Sequence, residues 1–161
     1  MRPIASLTLW LFVIGTSLIL GAGLYEALVV VPFWSAGAPA SLAEGNPLLQ
    51  VHIRAGHVFW QYFTPALGLI ALLALLTSFG APRPQLAWRL AATGLLLLVS
   101  VATLVYFRPV LIEMLVNHGA GLTPEALTAE VHRWVALDRV RTIAVAASLG
   151  MGIRALLLPL R

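Results

Sequence analysis

Residues 4–31 read IASLTLWLFVIGTSLILGAGLYEALVVV, an almost unbroken apolar run with one charged residue, Glu26. A helix needs about 20 consecutive apolar residues to cross the hydrocarbon core of a bilayer, and this run is longer. A cleavable signal peptide has a shorter apolar segment, of about 7–15 residues, before its cleavage site. The run therefore predicts a membrane-spanning helix rather than a leader that is removed.

Three further apolar runs follow, so the chain is predicted to cross the membrane four times. Of the 161 residues, 60% are hydrophobic and 10% are charged, whereas soluble domains have about 25% charged residues. The longest connection, residues 32–47, is rich in Pro and Gly. We expect an all-α fold in which one domain, residues 1–161, is an integral membrane, up-down-up-down four-helix bundle. The predicted spans are about 5–31, 49–78, 87–116 and 125–158.

The composition also narrows the partners of the protein. All ten basic residues are arginines, and they are scattered without a basic block, which argues against nucleic-acid binding. Such exclusive use of arginine favours a GC-rich, bacterial source. The chain has no cysteine, which excludes disulfides and thiolate ligands. We expect the lipid bilayer and a hydrophobic small molecule as partners, and a homo-oligomer is left open.

The distribution of charge predicts an orientation. In a bundle of four antiparallel spans, the end that carries both termini has arginines and no acid, and all acids and histidines lie at the opposite end. Several arginines at the acid-rich end lie inside helices beside carboxylates, so the terminal end is the better candidate for the positive, cytoplasmic side. We therefore expect a multi-pass protein of the inner (cytoplasmic) membrane with both termini in the cytoplasm.

Polar residues are concentrated in AEVHRWVALDRVR, residues 129–141, at the start of the fourth span. Trp134, Asp138 and Arg141 are spaced at i, i+4 and i+7, so they share one helix face. Polar residues on a membrane helix mark the side that packs against other helices, because lipid would leave them unpaired. We expect Asp138 to pair with Arg141, or with Arg54 of the second span.

The other three spans each bring polar residues to a similar depth. Glu26 is the one acid of the first span, and an intramembrane acid is a functional-site candidate by default. In the second span Arg54, His57 and Gln61 recur at helical spacing, whereas His52 lies off that face. We predict one pocket in the outer half of the bundle, lined by Glu26, Arg54, His57, Tyr106, Trp134 and Arg141.

Several motifs resemble a family of membrane proteins that groups a domain of unknown function with the anthrone oxygenases. They are Gly23-Leu-Tyr-Glu26-Ala with Pro32, the histidine of the second span, Tyr106-Phe-Arg-Pro109, and Arg133-Trp134-Val-x-Leu-x-x-Val-Arg141-Thr. The resemblance covers essentially the whole chain, and it implies oxygenation of a flat polyketide anthrone without a bound metal or flavin. The family pattern has Asn at the position of Asp138, so no role carries over to that residue.

Three classes of function are consistent with these residues. The first is a cofactor-independent oxygenase, or a related enzyme, that acts on a lipophilic aromatic molecule. His57 is then the general base, Glu26 orients it or shares its proton, and Arg54 or Arg141 stabilises the enolate that forms. The substrate-binding residues in this interpretation are Trp134, Tyr106, Gln61 and Asp138.

The second class is a haem- or metal-binding redox bundle, with His57 and either His132 or His118 as ligands. The lack of Cys and of any His pair at i, i+4 counts against it. The third is a binding or assembly protein in which the same charges form a structural network between helices. Interhelical polar bonds in membranes are worth about 1 kcal/mol, whereas buried charge is costly, which favours a functional use of these residues.

Overall fold

The computed structural model describes residues 2–42 and 47–158, without the side chains at positions 2, 47, 48, 52 and 57. The described part of the chain is helical and contains no β-strand. Four helices are long and apolar enough to cross a membrane: α1 (Pro3–Ser35), α2 (Pro47–Ser78), α3 (Arg83–Leu115) and α4 (Pro124–Leu157). The prediction of an all-α four-helix membrane bundle is confirmed.

Two of the helices are longer than the apolar runs indicated. α1 continues to Ser35 rather than ending at Val31, and α3 begins at Arg83. The connection between α1 and α2 is shorter in consequence, and its described part includes a 3₁₀ turn at Ala40–Leu42. Pro32 marked the end of the apolar run, yet proline is tolerated in the first turn of a helical segment, as it is here. Arg83 does not add to an apolar run, yet arginine is a good helix former.

The connection between α3 and α4 reverses the chain with residues that tolerate positive φ. His118, Gly119 and Gly121 have φ angles of 53°, 66° and 88°. A Cβ atom at Gly119 would lie 2.8 Å from Leu127 Cδ1, so both the backbone and the available space favour glycine. Thr123 caps the start of α4, because its hydroxyl accepts a hydrogen bond from the Ala126 N–H at 3.3 Å.

Each helix packs against its neighbours in chain order, and α1 also packs against α4, which closes a four-membered ring. The described part of the first connection, residues 36–42, and the connection at residues 116–123 lie at one end of the bundle, the loop end. The turn at residues 79–82 lies at the other, the turn end. Large apolar side chains face outward and are 69–74% exposed at Leu28, Tyr62, Val105 and Ile143. Lipid rather than water suits a surface of this kind.

The turn half of the bundle holds a close-packed core between all four helices. Gly152 of α4 lies against α1, where a Cβ atom would be 3.0 Å from Phe12 Cε1 and 3.1 Å from Val13 Cγ2. A glycine there lets the two helices approach closely. Ser148 Oγ of α4 donates to the Ala92 carbonyl of α3 at 2.9 Å. The buried core residues include Leu9, Phe12, Leu67, Ala71, Leu96, Val145 and Ala155.

α1 and α3 each contain one π-helical turn, at Glu26–Val30 and at Thr103–Phe107. The residue that follows each turn donates its N–H to the carbonyl of the turn's first residue, from Val31 to Glu26 and from Arg108 to Thr103. A proline comes next in both helices, and proline lacks an N–H and clashes with the carbonyl four residues earlier. The wider turn accommodates that proline, and π turns of this kind are frequent at functional sites.

The two hairpins, α1–α2 and α3–α4, repeat one plan at a fixed offset. Three landmarks recur 77 residues apart: the first residue of the π turn, the proline after it and the proline that begins the next helix. These are Glu26 and Thr103, Pro32 and Pro109, and Pro47 and Pro124. The buried Thr16 and Thr93 share the offset, and each donates to the carbonyl four residues earlier at 2.7 Å. The fold is therefore a tandem structural repeat.

The absence of native cysteine allows a direct test of the four crossings. We expect Ala36→Cys and Ala120→Cys, at the loop end, to react with an impermeant maleimide on one side of sealed vesicles. Ala81→Cys, at the turn end, should react only after the opposite side is exposed. Each single-cysteine variant is labelled in a separate experiment. Labelling of all three from the same side would contradict the topology.

Candidate functional site

A cavity of about 230 Å³ lies between the four helices in the loop half of the bundle. It extends from Leu49 and Leu115, near the loop end, to Leu20, Leu67 and Leu96 toward the middle. An apolar wall with a few convergent polar groups is typical of a small-molecule site. The polar residues of this wall are Glu26, Gln61, Thr64, Ser100, Thr103, Arg108, Arg141 and Thr142.

Glu26 begins the π turn of α1 and is half-buried in the cavity wall. The indole Nε1 of Trp60, on α2, donates a hydrogen bond to Glu26 Oε1 at 2.5 Å. Gly56 lies one turn earlier on α2, and a Cβ atom there would be 3.7 Å from the same oxygen. The carboxylate therefore joins α1 to α2 at the depth of the cavity.

Asp138 and Arg141 form an ion pair on α4, as their spacing predicted. Arg141 Nη2 lies 2.5 Å from Asp138 Oδ1, and the side chains are 20% and 5% exposed respectively. Because the carboxylate is buried, the effective dielectric around the pair is low, which strengthens the attraction between the two charges. Arg141 lines the cavity, whereas Asp138 lies behind it.

Arg141 also contacts the π turn of α3. Its Nη1 is 3.5 Å from Thr103 Oγ1, and its guanidinium carbon is 4.8 Å from the centroid of the Phe107 ring. A cation over an aromatic face is stabilised by the ring quadrupole. Arg141 and Glu26 both line the cavity. One cation and one carboxylate, carried by α4 and α1, thus share the cavity wall.

An aromatic cluster closes the cavity between α1 and α4. The Trp134 ring centroid lies 5.7 Å from that of Trp34 and 6.0 Å from that of Phe107. Trp134 Nε1 donates to the Phe107 carbonyl at 3.0 Å, so the buried indole is fully paired. The rings of Trp34 and Phe107 are tilted by 59° and 78° to that of Trp134, and together the three form an aromatic, apolar wall beside the charged pair.

The structure brings some of the predicted site residues together and separates others. Glu26, Gln61, Trp134 and Arg141 line the same cavity. Arg54 is exposed on α2, and Tyr106 donates its hydroxyl to Glu130 of α4 at 3.3 Å. Neither Arg54 nor Tyr106 lines the cavity, so the prediction that they do is wrong.

The side chain of His57 lies outside the described residues. Its backbone position belongs to α2, beside Gly56 and one turn before Trp60 and Gln61, which line the cavity. His118 lies in the α3–α4 connection with Nδ1 2.7 Å from a backbone carbonyl, and His132 is exposed on α4. Within the described ranges no three His, Cys, Asp or Glu side chains are placed to hold a metal ion. A haem or metal site stays a prediction.

Trp60, Thr103 and Arg108 line the cavity and were not predicted as site residues. The sequence carries a signal for Thr103, because it precedes Pro109 by the same spacing that separates Glu26 from Pro32. No comparable signal marks Trp60, since an aromatic residue on a membrane helix suits lipid and protein contacts equally well.

The fold and the cavity define a class: a small multi-pass membrane protein whose two repeated hairpins enclose a polar-edged cavity. Comparison of the chain with models of protein families, with curated proteins and with solved structures found no match. The resemblance to the anthrone oxygenases stays a prediction.

The Asp138–Arg141 pair should contribute more to stability than its exposed counterpart on the same helix. Asp138→Ala leaves the guanidinium of Arg141, whose side chain is only 20% exposed, without its carboxylate partner, and such a loss costs about 3–5 kcal/mol in a buried pair. Glu130 and Arg133 have the same spacing at 4.0 Å with side chains 28% and 66% exposed, so Arg133→Ala should cost about 0–1 kcal/mol. Thermal unfolding in detergent measures both variants. Equal losses would show that burial does not distinguish the two pairs.

Proposed function

We propose that the protein binds a lipophilic aromatic small molecule in this cavity and oxygenates it without a bound cofactor. The observation that supports this most is the presence of Glu26 and Arg141 together in one largely apolar wall. Charged groups within a membrane are costly, and they are retained where they act on a ligand, an ion or a proton. An acid and a cation together suit a reaction that moves a proton and develops negative charge.

The shape of the wall favours a flat ligand. Trp60 and Trp134 lie on α2 and α4, and Phe107 lies on α3, so aromatic surfaces face the cavity from three helices. Aromatic rings stack on or pack edge-to-face against a planar molecule at low entropic cost. Gln61 and Thr103 add hydrogen-bonding groups at the edge of such a ring.

The proposed substrate is a ring ketone of the anthrone class. Glu26 accepts a proton from the ring CH₂ that lies opposite the carbonyl, and the electron pair moves onto the carbonyl oxygen. Arg141 stabilises the enolate, a role that Arg54 does not fill because it is exposed on α2. Dioxygen then oxidises this carbon, so that one ketone and one O₂ give one quinone and one water. His57, which the sequence predicted as the general base, is the alternative proton acceptor in this scheme.

We also propose that the protein lies in the inner membrane of a bacterium with both termini in the cytoplasm. The distribution of charge favours this orientation. Arg83, Arg89 and Arg154 lie toward the turn end, where the described residues include no acid. Membership of the anthrone-oxygenase-like family is part of the same proposal and rests on the motifs in all four helices.

Glu26→Gln tests the proposed proton acceptor with little change of shape, since the amide oxygen can still accept from Trp60. We expect kcat for conversion of anthrone to anthraquinone to fall about 100- to 10,000-fold, because general base catalysis contributes on this scale. Quenching of tryptophan fluorescence by anthrone should persist, since ring binding does not need the charge. The product is followed by its absorbance.

Glu113→Gln is the matched control, because Glu113 Oε2 accepts from Asn117 at 2.7 Å and the residue does not line the cavity. It should retain the wild-type rate. Equal rates for Glu26→Gln and wild type would contradict the proposed role of Glu26. A Soret band, or stoichiometric metal in the purified protein, would favour the redox alternative. Wild-type protein that neither binds nor converts anthrone would favour the structural ion network.

A further inference from the structure

One stripe of residues along α3 and its loop end belongs to the cavity and to the outer surface at once. Its members, spaced four residues apart, are Leu104, Arg108, Ile112 and Val116, and all line the cavity. Leu104, Ile112 and Val116 are also 52%, 38% and 51% exposed, and Arg108 is exposed. A side chain can line the cavity and also be exposed on the outer surface only where the cavity opens through the side of the bundle. At about 1.5 Å per residue, the stripe is about 18 Å long.

The packing of the helices shows where the bundle is open. A seam is here the line along which two neighbouring helices face each other. α2 packs mainly against the part of α3 that precedes the π turn, whereas the part that follows packs against α4. Ile53, Gly56 and Trp60 line the cavity from the α2 side. The opening therefore lies between the loop half of α2 and the stripe on α3, at a depth that lipid occupies.

The tandem repeat supplies an internal comparison. The equivalent seam, between α4 and α1, is closed by Trp34 and Trp134, whose ring centroids are 5.7 Å apart. At the offset of 77 residues the corresponding positions in the α2–α3 seam are Leu111 and position 57. Leu111 has no ring, so this aromatic closure cannot form there. The two seams share a backbone plan and differ in the side chains that would close them.

We propose that the α2–α3 seam is a lateral portal, through which the ligand passes from the lipid into the cavity. This inference rests on the proposed function, and it narrows the substrate to neutral ring compounds dissolved in the membrane. An ion would lose several kcal/mol on leaving water for this depth. Arg108 is the one polar residue of the stripe, and its guanidinium can donate to an oxygen at the ring edge.

The portal can be closed reversibly, because the chain has no other cysteine. Ile53→Cys with Ile112→Cys places one thiol on each side of the seam, and a bis-maleimide with an internal disulfide bridges them until it is reduced. The matched control is Ser35→Cys with Glu130→Cys, the equivalent pair in the α1–α4 seam. Both pairs are made with Trp10→Phe and Trp88→Phe, which removes indoles that are 53% and 40% exposed. The readout is the rate at which anthrone, added to proteoliposomes, quenches the remaining tryptophans.

Bridging the α2–α3 seam should slow quenching at least about tenfold, as closing a gate does, and reduction should restore the rate. Bridging the control pair should leave the rate unchanged. Val116→Phe, which narrows the portal without a cross-link, should also slow quenching, whereas Val105→Phe, 73% exposed and outside the cavity wall, should not. Unchanged rates in the bridged pair and in Val116→Phe would overturn the portal. Unbridged protein that anthrone does not quench would instead contradict the proposed function.

Discussion

Prolines 32 and 109 each remove one backbone N–H from a membrane helix in the loop half, where no water can replace the lost hydrogen bond. Both helices respond with a π turn, in which the preceding residue bonds to the carbonyl five residues earlier. The turn takes up one extra residue and so changes which side chains face inward beyond it. Glu26 and Thr103, the first residues of the two turns, both lie in the cavity wall. The cavity therefore depends on where these prolines stand.

The repeat gives the cavity two similar halves, and the chemistry lies in their differences. Gln61 and Thr64 of α2 occupy the positions that Asp138 and Arg141 occupy on α4. One hairpin thus supplies a buried ion pair where the other supplies two neutral groups. The cavity-lining acid, in contrast, belongs to the first hairpin. Glu26 is on α1, and the corresponding residue of α3 is Thr103. A cation held by Asp138 and a carboxylate held by Trp60 consequently face the same space from opposite hairpins.

Apolar runs predicted the four helices well, because the length of a bilayer span leaves little freedom. The Asp138–Arg141 pair was also predictable, since its partners lie on one helix and need no tertiary information. Arg54 was misplaced because polar residues were assumed to face inward. It stands about 10 Å from the start of α2, where a long side chain can reach the interface instead. Tyr106 was misplaced because it lies within a π turn, which breaks the helical period of 3.6 residues and so changes the face on which its side chain lies.

The turn half of the bundle contributes packing that stabilises the fold, whereas the loop half contains the cavity of the proposed function. In the turn half, Gly152 lets α1 and α4 approach closely and a contiguous apolar core forms. Such packing holds the four helices together whether or not the loop half is closed. In the loop half the Trp34–Trp134 contact secures one seam, while α2 diverges from α3 at the other. A well-packed base thus allows one helix to stand apart at the opposite end, so a cavity can open to lipid without loss of the fold.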